Sequence, residues 1–470
     1  MSEFLPIFPF IGIFLLGYFF MTLFMRKDKG INNYLIISMA GGIGIGIFSV
    51  IYMLLHILDI YSLKLLFTLE TLFITPFFLK YLYFLKHKKI TLIKINIKSN
   101  LSLYILFSCV TIFSSLSIFY LIANNPYGRW DAWAIWNLKA RFLYRGDIYW
   151  QNLFSQNISW SHPDYPLLLP STIAGLWDYY GQENFLIPIY VSLIFAIMTV
   201  FTLMTSLCLL KKEKYALLAG TTLLLSPIFL LYSMYQYADI PLGFYYLITF
   251  VLITLFYSKK NFNYLILAGI TSSFSSFTKN EGLLFIIIIS LIFIIKIMIK
   301  NRVENLKSVL FYFLGVIPVL ILNISVKIKY SLENDVISDT NINLTFEKFF
   351  NLLRHHKVII ESINNLFSFS NLFLFFPLFI LIGLFLFIKF KKKYRTELEN
   401  KERIYTPFFI LISLTLGYYF IYIITPNEIA WHINTSQDRL LLQLWPSVIF
   451  LFFLYFPKTI KNNPKKYIEI

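Results

Sequence analysis

Five short stretches of this sequence combine carboxylates with cations, histidines or aromatic rings in ways that suit proton transfer or the holding of a phosphate. In the first, residues 124–141, Asp131 stands between Trp130 and Trp133. Pro126 and Gly128 close an apolar run, and a helix is expected to begin near Trp130. At about 100° per residue, Trp130, Trp133, Trp136, Ala140 and Tyr144 would share one face, with Asp131 opposite beside Ile135, Leu138 and Phe142. Asp131 reads either as a charge favouring a helix N-terminus or as a general base. In the second, Pro163 and Pro166 bracket Asp164 and Tyr165, giving a rigid, non-helical entry into an apolar segment. His162 and Asp164 are there as cap and turn residues or as contacts to a substrate. In the third, Asp239 and Pro241 join two apolar runs; Asp239 starts a turn, or is a carboxylate that needs a partner at such a depth. The fourth, residues 278–282, is a turn carrying Lys279 and Glu281, either solvated or presenting an ammonium to a phosphate. The fifth places Trp431, His432, Asp438 and Arg439 ahead of a Leu-rich run with Pro446. Arg439 there snorkels to lipid headgroups or clamps a phosphate.

The elements that position these residues are apolar helices. The chain has 470 residues, 58% of them hydrophobic and 14% charged, too little polar surface for a soluble protein of that size. Runs of about 20 apolar residues recur along the whole length, as crossing a bilayer by helices requires. Thirteen spans are expected, at roughly 4–25, 33–55, 63–85, 100–123, 185–210, 215–234, 242–257, 264–278, 282–299, 308–326, 368–388, 405–424 and 440–457. The apolar stretch after Met1 has no basic lead and no small-residue cleavage site, and is expected to be the first span.

Basic residues choose the orientation. About 28 of the 41 Lys and Arg residues fall on one side of this layout, which makes that side cytoplasmic and puts the N-terminus outside. The net charge of +17 is therefore a topology signal, not a nucleic-acid footprint. All eight tryptophans and about 16 of the 24 acidic residues map to the outer side, together with the five stretches above. The outer loop 124–183 is expected to hold a helix lying in the interface, and the loop 327–367 to be polar. Cys109 and Cys208 lie in apolar runs and form no disulfide or metal pattern, and no metal cluster or cofactor motif stands out. No internal repeat points to a transporter built of two matching halves.

In their order and shared side, these features resemble the GT-C superfamily of membrane glycosyltransferases, particularly glycosyltransferase family 39. An acidic residue in the first large outer loop (Asp131) is followed by a His-Pro…Pro-Leu segment (His162 to Leu167). Next come an Asp-x-Pro at an outer junction (Asp239 to Pro241), a Lys-x-Glu-Gly turn (Lys279 to Gly282) and an Arg leading a late Leu-rich span (Arg439 to Pro446). The resemblance covers residues 100–457; residues 1–99 would add N-terminal transmembrane helices and 458–470 a cytoplasmic tail. It departs from the family in a lone Asp131 where many relatives have adjacent carboxylates, and in the four spans that precede the loop.

The resemblance implies an all-α polytopic GT-C-like fold in the cell (inner) membrane with an extracytoplasmic site. It implies inverting transfer of a sugar from a polyprenyl-phosphate donor to a lipid, glycan or protein hydroxyl, without a cofactor. Asp131 would be the base, Asp239 would position acceptor or sugar, and Lys279 and Arg439 would hold phosphate. His162, Asp164, Glu281 and His432 would line the substrate. Membrane lipids are the other expected partners. A lipid-linked-sugar flippase or transporter, a membrane scaffold, and an O-antigen ligase or polymerase are the alternatives.

Overall fold

A computed structural model describes residues 7–25, 33–87, 100–299, 303–332, 342–368 and 401–455. The described chain is helical throughout, with no strand among the described residues. In order, the helices are α1 (Ile7–Met25), α2 (Asn33–Ile57), α3 (Leu63–His87), α4 (Leu101–Asn124), α5 (Asn137–Arg145), α6 (Leu168–Tyr180), α7 (Leu186–Leu210), α8 (Glu213–Leu224) and α9 (Pro227–Met234). After them come α10 (Asp239–Lys259), α11 (Asn263–Thr278), α12 (Glu281–Ile299), α13 (Val303–Lys329), α14 (Ile342–Phe350), α15 (Leu352–Ser368), α16 (Lys401–Ile424) and α17 (Ile429–Tyr455).

Eight of these are long and apolar enough to cross a membrane: α2, α4, α7, α10, α12, α13, α16 and α17. In such helices each backbone N–H and C=O is satisfied within its own segment, which lipid demands. The chain thus has the build of a multi-pass membrane protein. The other expected spans meet different fates. The segment 215–234 is broken by a 66° bend between α8 and α9, a ninth crossing if the pair counts as one. Pro227 opens α9 and removes the N–H that would have continued α8. α11 is helical but only 16 residues long, and α3 is helical over the expected span, with Lys64, Glu70 and Pro76 among its residues. α1 is an apolar helix whose side chains are described from Pro9 onward, and the span 368–388 beyond Ser368 lies outside the described residues, as do the basic clusters at 26–29, 88–98, 389–395 and 458–466. The loop 327–367 is not simply polar: it contains α14 and α15, with Phe346, Phe350, Leu352 and Leu353 exposed.

Helices that look equally apolar in sequence take opposite positions. α4 leaves most of its side chains exposed, whereas every residue from Asp239 to Tyr257 of α10 is buried. α10 is therefore the central helix, packed by α7, α11, α16 and α17. Nearby, α11 and α13 cross at Gly269 and Gly315. A Cβ on either glycine would stand about 2 Å from a carbonyl oxygen of the other helix (Tyr312 or Ile266). Small residues at such crossings let backbones approach where lipid supplies no hydrophobic drive.

Candidate functional site

The site forms where helix termini converge around the start of α10. Asp239 is its first residue, Lys279 follows the end of α11, and Glu281 opens α12. The α11–α12 turn is so tight that a Cβ on Gly282 would stand 2.2 Å from the backbone of Ser275. A second turn brings in Asp131. Gly128 adopts φ +74° there, a left-handed conformation natural to glycine. The Arg129 N–H then donates to the Tyr235 carbonyl at 3.3 Å. Gln236 stitches the same two segments, accepting from Asn137 at 3.1 Å and donating to the Pro126 carbonyl at 3.0 Å. Residues 126–137 are thus tied to the turn that precedes Asp239.

Five charged side chains form a chain of alternating sign. Arg439 donates through Nη2 to Asp131 at 2.6 Å and through Nε to Asp239 at 3.0 Å. Lys279 Nζ lies 3.0 Å from Asp239 and 2.9 Å from Glu281. Gln443 Nε2 donates to Asp239 at 2.7 Å, which completes the shell of a carboxylate with no exposed surface. Buried charge is tolerated only with such full pairing. Asp131, Arg439 and Glu281 keep some surface at the ends of this chain, while Asp239 and Lys279 form its interior. The Arg439 guanidinium also lies 5.1 Å from the centre of the Tyr237 ring, a cation–π contact. Burial, and next the Asp131 charge, push the Tyr237 phenol up to about 12.

The His162–Tyr165 turn borders this chain. Asn280, between Lys279 and Glu281 in sequence, donates to Asp164 Oδ2 at 2.6 Å. Lys327 of α13 donates to the Asn280 side chain at 2.9 Å and to the Asp164 carbonyl at 3.0 Å. Lys139 of α5, with no exposed surface, donates to the His162 carbonyl at 2.5 Å and the Tyr165 carbonyl at 3.3 Å. Tyr165 stacks on His162 at 4.5 Å and on Trp136 at 5.7 Å. Burial, then the Glu281 carboxylate, push its phenol well above the usual range, with Arg439 pulling the other way.

Of the residues expected from sequence, Asp131, Asp239, Lys279, Glu281 and Arg439 come together directly, and Asp164 joins them through Asn280. His162 contributes its carbonyl, held by Lys139, and a ring stacked on Tyr165. His432 pairs with the Thr425 hydroxyl at 2.9 Å, on the turn between α16 and α17, and feels the Glu281 charge. Asp438 and Gln437 are buried by α15, where Asn365 donates to Gln437 at 2.8 Å.

The expected Trp face does not form. Residues 132–136 wind as a π-helix, with the Asn137 N–H bonded to the Ala132 carbonyl. A three-residue spacing no longer returns to one face in that winding. Trp136 is therefore buried with Asp131 and Ile135, while Trp130 and Trp133 are 57% and 45% exposed and meet edge to face at 4.5 Å.

Gln443, Asn280, Tyr165 and Tyr237 were not among the residues expected in the site. Gln443 carried a usable signal: four residues beyond Arg439 on a helix, it must share that face. Among the described residues, no three His, Cys, Asp or Glu side chains gather as a metal ligand set. Comparison of the chain with protein families, with curated proteins and with solved structures finds no match.

Proposed function

We propose that this chain is a membrane glycosyltransferase of the GT-C kind, moving a sugar from polyprenyl phosphate to an acceptor hydroxyl on the extracytoplasmic face. In this reading the acceptor oxygen attacks the anomeric carbon as the bond from that carbon to the phosphate oxygen breaks. The configuration inverts, the hydroxyl proton goes to Asp131, and polyprenyl phosphate leaves with the bonding electrons. The observation that carries the reading is the alternating chain Asp131–Arg439–Asp239–Lys279–Glu281. Asp239 there holds two cations side by side, suited to the charge that develops on a leaving phosphate. With both oxygens engaged and no exposed surface, Asp239 acts as a positioning residue for Arg439 and Lys279. Asp131, at the accessible end, is the base.

The arrangement also gives the donor a role in freeing that base. A phosphate approaching Arg439 competes with Asp131 for the guanidinium, so donor binding loosens the ion pair that masks the carboxylate. The exposed Trp130 and Trp133 flank Asp131 and suit either a headgroup layer or the apolar face of a sugar ring. Nine crossings among the described residues, with the bent α8–α9 pair counted as one, and α1, α3, α11 and 368–388 added, give the thirteen-span layout of this reading.

The test is to incubate the purified full chain, in lipid nanodiscs, with a polyprenyl phosphate carrying a labelled sugar and a panel of hydroxyl acceptors. Sugar leaving the lipid in a protein-dependent manner is the expected result. Label that crosses the membrane of proteoliposomes while staying on its lipid would replace this reading with a flippase.

A further inference from the structure

We infer that Tyr165 contacts the donor, its phenolic hydroxyl donating a hydrogen bond to the phosphate beside Arg439 and Lys279; the inference rests on the glycosyltransferase reading above. The argument begins with how firmly the Tyr165 turn is held. Three elements distant in sequence grip it: Lys139 from α5, Asn280 from the α11–α12 turn, and Lys327 from α13. Lys139 holds the carbonyls at both ends of the turn, and Lys327 holds the Asp164 carbonyl between them. Burying an ammonium completely is costly, so Lys139 at no exposed surface marks a turn whose shape matters. His162 also takes φ +51°, ψ 73°, a left-handed conformation sparsely populated by residues other than glycine. Such strain persists where the surroundings over-determine it, and it clusters at sites that work on ligands.

What this turn presents is the Tyr165 side chain. Its ring is fixed by the stacks on His162 and Trp136. Phenylalanine would satisfy both stacks, so packing does not account for the hydroxyl. Asp164, its neighbour in the turn, accepts from Asn280, which stands between Lys279 and Glu281, so the turn is seated against charges that would surround a phosphate; the Glu281 and Arg439 charges also act on the phenol. Tyr165 as a whole keeps part of its surface. A phenol pushed up by burial keeps its proton, so Tyr165 serves as a hydrogen-bond donor and leaves the base role to Asp131. Hydrogen bonds to a charged acceptor are the strong ones.

The probe is a polyprenyl monophosphate, bound to the full chain in nanodiscs of phosphatidylcholine. That lipid supplies headgroup phosphate in excess, so saturable binding above it belongs to the prenyl carrier. Tyr165→Phe should weaken this binding about tenfold, near the lower end for one hydrogen bond to a charged group, and should leave the unfolding midpoint unchanged. Gly12→Ala, whose added methyl meets nothing within 4 Å, should bind as well as wild type. Equal binding by Tyr165→Phe and wild type overturns the inference while leaving the glycosyltransferase reading intact. Failure of the wild type to bind the probe overturns both. Saturable binding to phosphatidylglycerol that matches binding to the prenyl lipid reassigns the phosphate site to bulk lipid and also overturns the inference.

Discussion

Arg439 reaches Asp131 at 2.6 Å, an ion pair between residues 308 positions apart in the chain. Through its Nε the same guanidinium holds Asp239. The planar fork of arginine allows this double service, which a lysine ammonium at that position would not reproduce. One side chain of α17 thereby joins the 124–183 loop to the central helix, and on the proposed function both the base and the phosphate site depend on this link.

Asp131→Asn is nearly isosteric and retains an oxygen for Arg439, but it cannot take a proton. Sugar transfer should fall roughly 10²- to 10⁴-fold, the range for a lost general base, with expression and unfolding midpoint close to wild type. Steady-state transfer rates decide the point. Near-normal turnover would return Asp131 to the simpler role of a charge at a helix start, since Asn also suits that position.

Asp239→Asn should behave in the opposite way. It leaves Arg439 and the buried Lys279 without their shared anion, and breaking a buried pair costs roughly 3–5 kcal/mol. Reversible unfolding in mixed detergent micelles should register that loss. A cost under about 1 kcal/mol would mean that water or lipid compensates Asp239 already.

Gly282→Ala tests the turn that presents Lys279 and Glu281. The added methyl would meet Ser275 backbone at 2.2 Å, whereas at Gly12 nothing lies within 4 Å. Gly282→Ala should lower stability by roughly 1–3 kcal/mol, as overpacking does, and reduce transfer, while Gly12→Ala should leave both unchanged. Equal outcomes for the two variants would refute the tight turn.

Asp178 offers a pH test away from the site. Its carboxyl accepts from Tyr52 at 2.8 Å and from Tyr61. Burial raises its pKa in spite of those two bonds. A carboxyl raised on folding favours the folded state while protonated, and that contribution is lost as pH rises through the folded value. Measured from pH 7 downward, the unfolding midpoint of wild type should gain on that of Asp178→Asn. A constant gap between the two would contradict the raised carboxyl.

Orientation can be checked with single cysteines in a background where Cys109 and Cys208 are replaced by serine. Asn152 and Lys259 are both exposed, and the charge pattern puts them on opposite sides of the membrane. An impermeant thiol reagent should label Asn152→Cys in intact cells and spare Lys259→Cys until the cells are opened. The reverse pattern would invert the topology.

Much of the site was legible in the sequence because charges are scarce among apolar runs. Asp131, Asp239, Lys279, Glu281 and Arg439 each stand at or near the end of such a run, so a span layout alone collects them on one side. Their pairings were not legible, since the segments that meet are 40 to 308 residues apart. The π-winding at 132–136 hid the burial of Trp136 from a fixed angular step. Hydropathy also misplaced the start of α17, whose first turns carry His432, Gln437 and Asp438 and are helical all the same. Nor does composition separate α4 from α10, because lipid and protein interior look alike to an apolar side chain.

The sequence spacing of the Asp239 partners has a bearing on how the chain is made. Translation delivers Asp239 with α10 before any of its counter-charges exist. Lys279 follows 40 residues later, and Arg439 only after 200. For most of that interval a lone ammonium neutralises the carboxylate at the head of the central helix. α17 therefore supplies the last partners of Asp239, Arg439 and Gln443, so the buried carboxylate gains its full set of hydrogen bonds only once the final described helix has packed against α10.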